Sequence, residues 1–244
     1  MGCRSLGFAG LLGLLLAVAP SSSLATAAPV QAETAPPPLI TPQFRRYGVA
    51  DGLPSSSVYA VVQDRDGAIW FGTKGGIARF DGVRFKVFRH VAGDPGSLYD
   101  NGIATLMLDN QDRLWAGGLN AGLNRYDAST GKFVHWGHDP ADPSSLSSIR
   151  VWSIAQTPDG TIWVGTGNGL DRLRPDGHGF DHVSYRPPGG KARSFGLVGA
   201  LHVDAHGQLW MGCDFGVFRR DAQGRWHHVL AADPHDSMSA WRID

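Results

Sequence analysis

The sequence predicts an all-β chain folded as a β-propeller, with about four four-stranded antiparallel blades and the first strand of a fifth. Three observations lead there. A Trp recurs as Trp70, Trp115, Trp163 and Trp210, at intervals of 45, 48 and 47 residues. Two residues after each stands a Gly (Gly72, Gly117, Gly165, Gly212), and a second Gly follows (Gly76, Gly122, Gly169, Gly216). Around these marks each repeat holds four short apolar runs closed by Gly- or Asp-containing turns, and no 3.6-residue apolar period is sustained beyond the N-terminus.

Taken in order, the chain opens with an export signal over 1–27. Arg4 supplies the positive start, Leu6 to Val18 the apolar run, and Ala25-Thr26-Ala27 an A-x-A-like cleavage site. That run falls well short of the roughly 20 residues needed to span a bilayer. A retained N-terminal anchor is the rival reading. Residues 28–41 are Ala/Pro-rich and read as an extended linker. Phe44 to Tyr47 is a candidate strand for completing a blade at a ring closure.

The propeller region, 42–244, divides into blades at about 58–88, 103–136, 151–185 and 198–230. The first runs Val58–Gln63, Ile69–Thr73, Ile77–Phe80 and Phe85–Phe88. Second strands such as Ile162-Trp163-Val164 are apolar on both faces, as expected of a sheet sandwiched between neighbours. Asp66-Gly67, Asp159-Gly160 and His206-Gly207 supply the positive φ of the hairpins after the first strands, and Asp112 is the exception. A Gly after each Trp leaves room for a large residue of the next blade. Between blades, DPGSLYDNG (94–102), DPADPSSLSS (139–148) and DPHDSMSA (233–240) read as ordered loops. A fifth blade begins at Ala240. A finished four-bladed ring, closed by Ala240–Asp244, is the alternative.

Composition narrows the function. With 22 Lys+Arg against 22 Asp+Glu, there is no electrostatic case for nucleic acid or an anionic membrane surface. Removal of the signal leaves Cys213 alone, which excludes an intramolecular disulfide and reads as a small buried residue. No cofactor or metal is expected. His202 and His206 lie across a strand and turn rather than on one helix face, and His227-His228 point to opposite sides of a strand.

The stretch DGLPSSSVYAVVQDRDGAIWFGTKGGIARFDG (51–82), with loops of the form DP-x-S-L-S, resembles the two-component regulator propeller repeat. The resemblance covers about residues 44–244. It departs at Asp112, at one extra residue before Gly122, and at Thr157 where Asp64, Asp109 and Asp204 stand elsewhere. It implies a large periplasmic sensor propeller, homodimeric in the intact receptor. A β-sandwich, a membrane-spanning helix and a cytoplasmic histidine kinase or diguanylate cyclase would follow. The chain contains no kinase His motif, no GGDEF-like string and no spanning helix, so it is read as non-enzymatic and tied to the membrane only through a helix beyond it.

Strand order puts the second-to-third connections on one face with the openings of the first strands. The connections offer Lys74, Asn120, Asn168 and Asp214; the openings offer Tyr59, Asn101, Arg150, Trp152, Trp241 and Arg242. Aromatic rings beside amides and guanidinium groups suit a small polar molecule or oligosaccharide. Against this, Asn or Asp beside Gly is often only a turn former. Rival functions are a protein-interaction scaffold using Arg84, Lys86 and Lys132, or a propeller enzyme of lyase or quinoprotein type.

Overall fold

The structure, a computed structural model, describes residues 44–187 and 189–231. The expected signal peptide, the 28–41 linker, the loop from 233 and the strand opening at Ala240 lie outside the described residues. Sixteen strands form four antiparallel sheets, each in chain order. Sheet one holds β1 (Val58–Gln63), β2 (Ile69–Thr73), β3 (Gly76–Phe80) and β4 (Phe85–Phe88). Sheet two holds β5 (Ile103–Leu108), β6 (Leu114–Gly118), β7 (Leu123–Asp127) and β8 (Lys132–Trp136). Sheet three holds β9 (Val151–Gln156), β10 (Ile162–Thr166), β11 (Gly169–Leu173) and β12 (Phe180–Val183). Sheet four holds β13 (Val198–Val203), β14 (Leu209–Cys213), β15 (Gly216–Arg220) and β16 (Trp226–Ala231). The fold is a β-propeller, with β1, β5, β9 and β13 meeting in succession.

Each pair of successive blades shares one core. Trp70 and Ile77 of blade one pack with Ile103, Leu106 and Leu114 of blade two. Trp115 and Leu123 meet Val151, Ile154 and Val164, and Trp163 and Leu170 meet Val198, Leu209 and Met211. The Gly after each Trp makes this possible. A Cβ on Gly72 would lie 2.9 Å from Ile103 Cγ2, and one on Gly117 or Gly165 would collide with Val151 or Val198. The fourth strand adds a ring over the Trp: Phe88 stacks on Trp70 and Trp136 on Trp115, each pair at 5.7 Å.

The Asp that ends each first strand holds the hairpin and the Trp together. Trp70, Trp115 and Trp210 donate their indole N–H to Asp64, Asp109 and Asp204 at 2.9, 2.8 and 2.8 Å. The same carboxylates accept backbone N–H groups from the turn. In blade three, Thr157 replaces the Asp. Its hydroxyl accepts from Trp163 at 3.0 Å and donates to Asp159 at 2.6 Å, so the carboxylate moves two residues along. Asp112 sits at φ 62°, the one non-glycine with positive φ among the described residues. There its carboxylate accepts the backbone N–H of Arg65 on the preceding blade at 3.1 Å, a bond no Gly could make.

Two expectations need correction. Phe44 to Tyr47 is not a strand; Tyr47 instead packs its ring on Phe80 and Phe85, at 5.0 and 5.9 Å. Blade three ends at Val183, short of residue 185, because Tyr185 turns away to pair with Arg193 in a lone bridge. The loops between blades one and two and between blades two and three share one fastening. His90 and His138 each set a ring nitrogen against the carbonyl of Leu98 or Leu146, whose side chains are buried.

The front of blade one is open. Val61 is 55% exposed, whereas Leu106 and Ile154 at the same position are 9% and 8%. Val58 is 38% exposed against 0% for Ile103, 1% for Val151 and 0% for Val198. Equivalent side chains therefore carry different energies. Leu106→Ala should cost about 2–5 kcal/mol in denaturant unfolding, and Val61→Ala should stay within about 0.5 kcal/mol of wild type. Equal losses would mean that the blade-one face is covered in solution.

Acid should loosen the hairpins. Burial alone would push the Asp109 carboxyl up, but hydrogen bonds from Trp115 and Arg113 outweigh it and hold it below its ordinary value. A depressed carboxyl stabilises the fold fully above the unfolded value, about pH 4, and that contribution is lost as pH falls through the folded value. Asp109→Asn should flatten the acid limb of stability against pH; an unchanged limb would contradict this.

Candidate functional site

The rim carrying the second-to-third connections is built the same way in blades one, three and four. The connection donates a backbone N–H to the chain just before a first strand. Lys74 N–H reaches Ser57 O at 3.1 Å, Gly167 N–H reaches Arg150 O at 3.0 Å, and Asp214 N–H reaches Leu197 O at 3.1 Å. In blade two, Gly122 N–H crosses to Ile149 O, ahead of the next blade's first strand, at 3.1 Å. These bonds gather the connections and the strand openings onto one face, as the topology requires.

A β-bulge opens every first strand. Pairing slips between Val58 and Ala60, Ile103 and Thr105, Val151 and Ser153, and Val198 and Ala200. The extra residues are Tyr59, Ala104, Trp152 and Gly199. A bulge takes a side chain out of the strict alternation of a strand and re-aims it. Tyr59 is exposed and Trp152 half-buried, so two large rings occupy equivalent bulges at the openings of blades one and three. The small residues Ala104 and Gly199 alternate with them.

The remaining candidates separate into anchors and free side chains. Asn101 accepts the backbone N–H of His90 at 2.8 Å, and Asp214 accepts that of Leu197 at 2.8 Å, so both fasten their own loops. Lys74 and Asn120 are exposed on their turns. Arg150 is exposed and lies against Gly167, beside Asn168, whose amide reaches Ser147 O at 3.5 Å. Trp241 and Arg242 lie outside the described residues.

Near Asn168 the rim holds a polar network that the sequence reading missed. Asp171, fully buried, accepts from the Ser147 backbone and hydroxyl at 2.8 and 2.9 Å and faces His182 Nδ1 at 2.8 Å. His182 Nε2 faces Pro143 O at 2.9 Å, and Ser147 meets Thr166 at 2.7 Å. Burial pushes the Asp171 carboxyl up, and the bonds from His182 and Ser147 offset only part of this. The network borders a hollow of about 380 Å³ that Asn168 and Ser194 also line. Its signal in the sequence was faint: Leu170-Asp171-Arg172 replaces Leu123-Asn124-Arg125, where Asn124 accepts the Tyr99 N–H in the same way. Cys213 closes β14 with no exposure, and burial pushes its thiol up to about 11, so it is an inert packing residue. No cluster of three or more His, Cys, Asp or Glu able to hold a metal occurs among the described residues.

The sequence model described as "Two component regulator propeller" matches residues 52–75 and 145–168. Those two segments match the two-component regulator propeller repeat. The two matched regulator propeller segments cover the loop, bulged first strand and Trp strand of blades one and three, and so contain Tyr59, Lys74, Arg150, Trp152 and Asn168. Over 55 residues the chain is 40% identical to Histidine kinase P4 of Formosa agariphila, covering 22% of this chain and 4% of that protein. In three dimensions it is similar to a chain described as the extracellular domain of a hybrid two component system from B. thetaiotaomicron. That likeness has a TM-score of 0.56 and 23% identity over 75% of this chain and 31% of the other. Virginiamycin B lyase from Staphylococcus aureus is also similar, with a TM-score of 0.50 and 15% identity over 75% of this chain and 57% of the lyase. Both are likenesses of fold. The chain thus spans 4% of the kinase and 31% of the extracellular domain.

The anchors and the free side chains should behave differently. Asn101→Ala and Asp214→Ala each strand a backbone donor and should cost about 0.5–1.5 kcal/mol in chemical denaturation. Lys74→Ala and Asn120→Ala should remain within about 0.5 kcal/mol of wild type.

Proposed function

We propose that this chain is the ligand-sensing propeller region of a periplasmic signal-transduction receptor of the two-component or cyclic-di-GMP type. It binds a small polar or sugar-like ligand on the rim of bulged strand openings. An output domain elsewhere in a homodimeric, inner-membrane-anchored receptor reads the binding. The chain itself performs no chemistry.

The observation that carries this reading is the recurrent bulge that sets Tyr59 and Trp152 at equivalent openings of blades one and three, the latter opening also holding Arg150. Indole and phenol rings cover the C–H face of a sugar, while guanidinium and amide groups read its hydroxyls. The regulator propeller repeats and the short identity to a histidine kinase support the receptor role. The likeness to a lyase supports the fold alone.

The test is calorimetric titration of a panel of neutral mono- and oligosaccharides into the intact chain. At least one should bind saturably, and Trp152→Ala and Arg150→Ala should each weaken it about tenfold or more, with thermal unfolding unchanged for Arg150→Ala. Substitutions at Arg84, Lys86 and Lys132 should leave binding untouched. Absence of saturable binding, or full affinity in both rim variants, would overturn the proposal. A scaffold function would instead appear as loss of a protein partner on substitution of the outer-strand residues.

A further inference from the structure

Each third strand carries an Arg opposite the Trp of its second strand, and the environments of these four differ. Arg79, Arg125, Arg172 and Arg219 pair in register with Trp70, Trp115, Trp163 and Trp210. In blade one, Asp64 takes both the Trp70 indole and Arg79, the latter at 3.1 Å. In blade three, Arg172 pairs with Asp181 at 2.7 Å. In blade two, the corresponding carboxylate is already occupied: Asp109 Oδ2 accepts from Trp115 at 2.8 Å and from Arg113 at 2.6 Å. Arg125 is left with no hydrogen bond and no ion pair among the described residues. Its guanidinium lies over Trp115 at 5.6 Å and over Trp136 at 5.9 Å, held by rings alone. Arg219 also lacks an acid, but no following blade is present among the described residues to give it a second wall.

Arg125 opens into a groove of about 360 Å³ between blades two and three, at the end of the propeller opposite the bulged rim. Arg113 and Arg174 join it, and the far wall presents Asp159, Thr161 and Asp176. Arg113 and Arg174 are engaged by Asp109 and Asp181, so Arg125 is the guanidinium with all its donors unused. The groove between blades one and two, about 340 Å³, is an internal control of the same construction. There three carboxylates, Asp64, Asp66 and Asp112, face Arg79, Lys86 and Arg113, and Arg79 is already neutralised.

We propose that the groove between blades two and three is a second binding site, for a small carboxylate that also carries hydroxyl or ammonium donors. Arg125 takes the carboxylate through its planar fork of donors. Asp159 and Asp176 take the donor groups from the opposite wall. The cavity volume lies within the usual range of small-molecule sites. Because the groove and the bulged rim are at opposite ends of the blades, this site stands or falls independently of the sugar-sensing rim.

The test is calorimetric titration of the intact chain with D-glucuronate, which brings hydroxyl donors, L-alanine, which brings an ammonium, and D-glucose, which lacks the carboxylate. At least one of the two carboxylates should bind saturably, and the one that binds names the donor class. Arg125→Gln should weaken that binding about tenfold or more, while Arg79→Gln leaves it unchanged. Should Arg125→Gln fail to fold, Arg125→Lys keeps the charge over the rings but loses the fork, and must still weaken binding. The proposal is overturned if neither carboxylate binds. It is equally overturned if Arg125→Gln weakens glucose binding as much as carboxylate binding, if the folded Arg125 variant binds as wild type does, or if Arg79→Gln weakens binding equally.

Discussion

No blade of this protein can bury its own two faces; each depends on the next. A four-stranded sheet with apolar residues on both sides reaches a dry interior only by stacking, and here each stack depends on a glycine. Gly72, Gly117 and Gly165 leave a gap that Ile103, Val151 and Val198 fill, while the neighbouring Trp covers the rest of the joint. Stability is therefore shared between nearest neighbours, as in other repeat architectures. The first strands are brought together only because these joints close at their inner ends.

The Trp that forms the joint is itself fixed by the hairpin beside it. A carboxylate or hydroxyl at the end of the first strand holds the turn's N–H groups and the indole N–H at once. This coupling fixes the large ring at the joint with the next blade. It also sets the fate of the third-strand Arg. At Asp64 the Arg is neutralised; at Asp109 Arg113 has taken the carboxylate, and Arg125 lies over rings with no ion pair among the described residues.

Much of this was legible in the sequence because its cause is local and repeats. The Trp and Gly spacing gave the blades nearly to the residue, and the positive-φ requirement marked the hairpins, including Asp112 as the departure. Of the rim candidates, Tyr59 and Trp152 are legible as aromatic residues near strand openings; their place on bulges is not, since a bulge depends on the register between two strands. Asn101 and Asp214 turned out to anchor their own loops. The Phe44–Tyr47 segment has the composition of a strand, but in the structure its Tyr47 packs on blade one instead of pairing in a sheet.

The sequence by itself determined the repeat, the four-stranded blade, the turn chemistry and the place of the Trp–Gly joint, because each follows from backbone geometry and burial within about fifty residues. Only the tertiary structure decided which charges remain unpaired and which equivalent side chains are buried. Arg79 and Arg125 occupy the same position in the repeat, as do Val61 and Leu106. Their difference arises from what stands across the gap, and a competition between donors for one carboxylate, or the presence of a covering blade, is a property of contacts in space.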